Sequence, residues 1–327
     1  MEILYISVVI IILIIIATIL YFICSPMPIV RLLRRKMDAD ISVPDYYEEV
    51  KKTVEIYRNL TYDSKYSQNK YDLFLPKSNE KQPLVLWIHG GAFVAGDKCG
   101  VETWCVMLTS KGYNVASINY CWAPEAVYPS QIVQVSEALS SIINSKFLNR
   151  IESNCIAVAG DSAGAYNAIQ FALSHTNEEL SKKIGVNSPL KPDALKCALL
   201  YCGPYDVKKM LEIENKTLRI FVSRIGWSLL GKKNWKKSPL ISTITPMDFV
   251  TKNSVPCYIT DGNTWSFESH GKELAEKLRE KGVTVWERYF PKDEYGEVTH
   301  EYQMHLNTEN GMKCFNETFD FLSEYMK

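Results

Sequence analysis

Apolar residues fall in short, dense runs along most of this chain, and longer stretches of mixed polarity separate them. Leu84–Ile88, Val115–Tyr120, Cys155–Ala159, Cys197–Tyr201, Val255–Thr260 and Val283–Phe290 are mainly apolar, without the regular polar alternation of a half-exposed strand. Such runs predict strands covered on both faces, as in a parallel sheet. Tyr71–Pro76 predicts a further strand, ended by Pro76. The intervening stretches Pro129–Asn144, Ala163–Leu173 and Phe267–Lys281 carry helical spacing, the last closed by Gly282, and Phe315–Tyr325 predicts a final helix. Ile41–Asn59 also reads as helical, with Val50, Val54 and Tyr57 on its stripe. Regular strand–helix alternation predicts a doubly wound α/β fold with a mostly parallel sheet.

Two regions depart from this rhythm. Ile3–Ile23 is almost wholly apolar, and at about 1.5 Å per residue it reaches roughly 30 Å, the thickness of a bilayer's hydrocarbon core. An acidic start, a long apolar core and the unsuitable Cys24–Pro28 junction favour an uncleaved anchor over a signal peptide. Arg31, Arg34, Arg35 and Lys36 follow the span, which predicts a cytoplasmic body. The second region, Val207–Lys237, holds Trp227 and Trp235 among many lysines and has no clear strand. The expected organisation is an anchor over 1–27 and one α/β domain over 28–327. Helical cap elements are expected near 37–58 and 206–237.

Composition narrows the function. Lys+Arg and Asp+Glu are equal at 37 each, so no basic excess exists to neutralise the phosphates of a nucleic acid. The nine cysteines are irregularly spaced, with no CxxC pair, which argues against a structural zinc site. Several lie within apolar runs and read as reduced core residues.

The chemistry centres on Gly160-Asp161-Ser162-Ala163-Gly164, a G-x-S-x-G between a predicted strand and a predicted helix. That context makes Ser162 the candidate nucleophile, raised above the sheet on a sharp turn. His89-Gly90-Gly91-Ala92 follows another strand. Its paired glycines allow a close backbone approach to a ligand, and an oxyanion hole is expected from these N–H groups with that of Ala163. The order serine, acid, histidine selects His300 as base, with His305 as its nearest rival and His89 assigned to supporting the turn. Asp261, the first residue after Val255–Thr260, is the candidate acid, with Glu268 as the alternative. Phe93, Trp227 and Trp265 are candidate pocket walls.

These motifs, with Asn119-Tyr120-Cys121-Trp122-Ala123-Pro124-Glu125 and Tyr71–Pro76, resemble the hormone-sensitive-lipase-like esterases over most of residues 45–325. That group includes bacterial acetyl esterases and membrane-anchored arylacetamide deacetylases. The resemblance implies an α/β-hydrolase fold and a carboxylester hydrolase acting on short- to medium-chain acyl esters. It implies no cofactor, and Gly90, Gly91 and Ala163 as oxyanion donors. The family's Gly-x-Asp acid pattern is absent here, because Gly262-Asn263 is followed by Thr264. An amidase, peptidase or deacetylase with the same triad is the alternative activity. A binding protein on a hydrolase scaffold is the alternative class.

Overall fold

The computed structural model describes residues 1–36, 41–207, 209–211 and 214–327. Among the described residues the α-helices are α1 (Glu2–Cys24), α2 (Met27–Lys36), α3 (Tyr47–Lys51), α4 (Glu102–Thr109), α5 (Ser130–Ile143), α6 (Ala163–Thr176), α7 (Glu178–Ile184), α8 (Lys216–Leu230), α9 (Glu268–Glu280), α10 (Lys292–Tyr295) and α11 (Glu309–Tyr325). The strands are β1 (Val54–Thr61), β2 (Lys70–Pro76), β3 (Gln82–Ile88), β4 (Asn114–Ile118), β5 (Ile151–Asp161), β6 (Leu195–Tyr201), β7 (Cys257–Thr260) and β8 (Val285–Arg288).

The eight strands form one sheet in the order β1-β2-β4-β3-β5-β6-β7-β8. β2 pairs antiparallel with β1 and β4, and every other pairing is parallel. Side-chain alternation persists inside the apolar runs. Leu84, Leu86 and Ile88 enter one core layer with α5, α6 and α9, whereas Val85 and Trp87 enter the other with α4 and α11. Ile156 and Val158 divide from Ala157 and Ala159 in the same way. A strand between two helical layers has no solvent face, so it carries no polar alternation. This is the α/β-hydrolase fold.

The helical reading of Ile41–Asn59 needs correction. Only Tyr47–Lys51 is helical, and Val54 begins the edge strand β1. Ladder bonds from β2 hold that segment extended, an interaction that local spacing does not report. Nor do the described residues of the expected 37–58 cap line the cleft beside Ser162: Tyr47 packs in the α4–α11 layer. Residues 37–40 of that element lie outside the described residues, as do 208, 212 and 213 of the second. α8 does lie over the cleft.

α1 is long and apolar enough to cross a membrane, with a mean hydropathy of 3.3 and no buried residue. α2 follows it and packs against α8 and the loop after β3.

Candidate active site

Ser162 stands at the carboxyl end of β5, where α6 begins. Ligand sites of open α/β sheets form at this edge. Its backbone has φ 50° and ψ −118°, a strained conformation for a side-chain-bearing residue. Two glycines permit the turn. A Cβ on Gly160 would strike the backbone of Gly164, and one on Gly164 would strike the Ile88 carbonyl. Gly164→Ala is therefore expected to destabilise the fold by about 3 kcal/mol or more, because backbone rather than a flexible side chain must yield. Urea unfolding checks this through a lowered midpoint at unchanged slope.

His300 Nε2 lies 3.0 Å from Ser162 Oγ. The loop that carries His300 is tied to the turn after β7 by Asn263. Its amide nitrogen donates to the carbonyls of Phe290 and Gly296 at 2.7 and 2.8 Å, and its oxygen accepts from Val298 N at 3.0 Å. A Cβ on Gly262 would strike the Thr299 carbonyl, so the two loops meet at backbone distance. Phe267 sets its ring edge-on to the imidazole, 5.5 Å between centroids.

Asp261, the candidate acid, meets His300 through an intermediary. Ser266 Oγ donates to Asp261 Oδ1 and lies 2.7 Å from His300 Nδ1. A hydroxyl has one proton, so with that proton on the carboxylate, Ser266 accepts from Nδ1–H and leaves Nε2 bare toward Ser162. Phe267 N donates to Asp261 Oδ2 at 3.1 Å. Glu268, the alternative acid, pairs with Lys272 on the surface of α9. Thr264, at the position of the family's usual aspartate, donates to Asn263 Oδ1. Sequence reading missed Ser266. The only signal was its place in the loop beyond β7, and a serine there has many ordinary uses.

Burial sets the charge states. It raises Asp261 to about 7 and lowers His300 to about 4, because a desolvated group disfavours its charged form. Asp161, the variable residue of G-x-S-x-G, accepts from Trp87 Nε1 at 2.8 Å and Gly90 N at 2.7 Å. Its carboxyl is raised by burial, as is that of neighbouring Glu301, on which the charge of Asp161 also acts.

The bond to Asp161 corrects the oxyanion expectation. Gly90 N–H is committed to that carboxylate, so it does not point at a substrate oxygen. The turn beyond it runs through positive φ at Gly91 (113°), Ala92 (50°) and Phe93 (66°). Ala92, Phe93 and Ala163 line the cleft, which leaves the N–H groups of Gly91, Ala92 and Ala163 as candidates. Arg34 of α2 clamps this turn, donating to Val94 O at 2.8 Å and Ala123 O at 3.2 Å while forking onto Glu125. Sequence reading had placed Arg34 only in a juxtamembrane basic cluster. His89 supports the turn: Nδ1 donates to Gly90 O at 2.6 Å, and the ring stacks on Tyr120. His305 meets Ser42 instead of the cleft.

The cleft over Ser162 has almost wholly apolar walls, with Phe93, Tyr166, Ile225, Leu229, Trp235 and Phe267 among them. Phe93 is thus a wall, as expected. Trp227 faces a groove on the far side of α8, and Trp265 is 89% exposed, so neither lines the cleft. Among the described residues, Cys202, Asp261 and His300 hold ligand atoms within 4.8 Å of one another. A metal there would compete with Ser266 for both Asp261 and His300 Nδ1.

The BD-FAE family model matches residues 71–278. The chain is 24% identical over 159 residues to the isoprenylcysteine alpha-carbonyl methylesterase ICME of Arabidopsis thaliana, covering 48% of this chain and 36% of the relative. It is 22% identical over 209 residues to kynurenine formamidase of Drosophila melanogaster, covering 63% of each. The match thus spans less than two thirds of either relative. Among solved structures, esterase B of Lactobacillus rhamnosis superposes with a TM-score of 0.74 at 22% identity, over 88% of this chain and 89% of that one.

Proposed function

This chain belongs to the BD-FAE family and has the α/β-hydrolase fold, and on that premise we propose that it is a membrane-anchored carboxylester hydrolase with Ser162 as nucleophile. The observation that carries this reading is the 3.0 Å approach of His300 Nε2 to Ser162 Oγ at the floor of an apolar cleft. His300 takes the Ser162 proton as the oxygen attacks the ester carbonyl, forming the new C–O bond. Gly91, Ala92 and Ala163 N–H groups receive the oxyanion, each donor contributing about 3 kcal/mol in the transition state. The imidazolium then protonates the departing alcohol. Water, activated by His300, cleaves the acyl-enzyme and restores Ser162. Asp261, acting through Ser266, holds the imidazole in the required tautomer and stabilises its charged form.

The apolar walls favour an acyl chain over a charged group. On nitrophenyl esters, kcat/KM is expected to rise about threefold to fourfold per added methylene, from roughly 0.8 kcal/mol per buried CH₂, until the cleft is full. Ile225→Trp, which narrows that space, should move the optimum to a shorter chain. A flat profile in both proteins, or no hydrolysis and no fluorophosphonate labelling of Ser162, would defeat the reading.

α1 serves as the anchor in this proposal, with the basic residues after it placing the body on the cytoplasmic side. Likeness to kynurenine formamidases supports a second reading, hydrolysis of an aryl formamide or related amide at the same serine. Matched ester and anilide substrates separate the two, because an amide leaving group must be protonated as it departs. A binding protein built on the scaffold would label with neither.

A further inference from the structure

α8 stands between two recesses, one apolar and one lined by cations as well as apolar side chains. Its inner face walls the apolar cleft over Ser162, and its outer face walls a second, open groove. Arg219, Arg224, Lys233 and Lys236 line that outer groove together with Ile220 and Trp227. Arg224 and Lys233 both lie over the Trp227 ring, at 5.3 and 5.9 Å. Among the described residues, none of these four cations forms a salt bridge, whereas Lys51, Arg58, Lys98 and Arg150 on the opposite part of the sheet all pair with carboxylates. Every charged residue from Asn215 to Lys237 is Lys or Arg, in a chain whose net charge is zero. On the exposed first turns of α8, Leu218 and Ile220 keep 44% and 56% of their surface in solvent.

Cations interleaved with exposed apolar side chains form a surface suited to the headgroup layer of an anionic bilayer. Position favours the same partner. α2 follows the membrane-length α1 and packs on α8, with Ile225 joining Val30 and Leu33 in one apolar cluster. The span and the cationic face are therefore held close together by the fold.

We propose that the outer face of α8 docks on the phosphodiester headgroups of an anionic lipid surface, so that the wall of the acyl cleft rests against the bilayer. The proposal rests on the membrane reading of α1, and its test keeps the two apart. The full-length protein is mixed with vesicles of phosphatidylcholine alone or of phosphatidylcholine with phosphatidylglycerol. Flotation with the neutral vesicles reports the anchor. Amide hydrogen exchange across 215–237 reports the docking. Exchange in the first turns of α8 should slow with phosphatidylglycerol only, by roughly fivefold for each cation engaged. In molar salt the protection should vanish, because the screening length falls to about 3 Å. The variant R219E/R224E/K233E/K236E should lose it while hydrolysing a soluble nitrophenyl ester as before.

Flotation without phosphatidylglycerol-dependent protection would overturn the docking and leave the anchor standing. Protection without flotation on neutral vesicles would do the reverse. Equal protection by polyglutamate in the absence of vesicles would assign the groove to an acidic polypeptide and overturn the lipid proposal.

Discussion

Ser162→Ala is expected to lower kcat on a nitrophenyl ester by about 10⁶-fold, and His300→Ala by a similar factor. The double variant should be little worse than either alone, because nucleophile and base act as one unit and the loss of either ends covalent catalysis. Residual hydrolysis of about 10³-fold over water would remain from the oxyanion donors and substrate positioning. Neither change should disturb folding greatly. Ser162 Oγ bonds His300 across a cleft, and the elbow is held by Gly160, Gly164 and the Ser162 N–H bond to Tyr201 O at 2.8 Å. Burst kinetics in the wild type and their absence in both variants is the decisive comparison. A Ser162→Ala protein retaining a tenth of the activity would refute the serine mechanism.

Asp261→Asn carries the second large effect, a loss of up to about 10⁴-fold in kcat, the scale seen when a triad carboxylate becomes an amide. The pH profile gives the sharper test. Burial raises Asp261 to about 7, so the carboxylate protonates as pH falls through that value and kcat/KM should fall with it. His300, lowered to about 4, is already neutral across this window and does not produce the inflection. In Asp261→Asn the acid limb near 7 should disappear, and the remaining decline should move toward the histidine's own value.

Stability should change in a matching way. Asp261 has a folded pKa above its unfolded one, so its stabilising contribution is complete at low pH and is lost as pH rises through about 7. The melting temperature of Asp261→Asn relative to wild type should therefore climb between about pH 4 and 7 and level off above. A variant that is inactive but relatively more stable at pH 8 than at pH 4 has lost chemistry, not its fold. Ser266→Ala should cost less than Asp261→Asn, since water can enter the vacated place and bridge the same two groups.

Several features were legible from residue order alone. Apolar runs identified β3 to β7 to within a few residues, because a strand between two helical layers must be apolar on both sides, and that requirement is written locally; the mixed run that marked the edge strand β8 is half-exposed. Flanking strand and helix singled out Ser162, since a G-x-S-x-G needs its glycines only where the chain turns sharply. Chain order singled out His300. By contrast, β1 was misread as helix because its conformation comes from the neighbouring β2 rather than from its own spacing.

The donors left free in the candidate oxyanion turn were decided by Asp161, which lies far away in sequence and takes the Gly90 N–H. Ser266 entered the site because the turn after β7 curls its hydroxyl between Asp261 and His300, and nothing in the residue type announces that position. Arg34 joined the site from the other end of the chain. Sequence determined the candidate residues that meet at the cleft and the layers that support them, because side-chain chemistry and periodic burial are local properties. Tertiary structure alone decided which hydrogen-bond donors remain free and which residue stands between Asp261 and His300. Those facts depend on loops brought together across the sheet, where the partner of each group is chosen by distance in space.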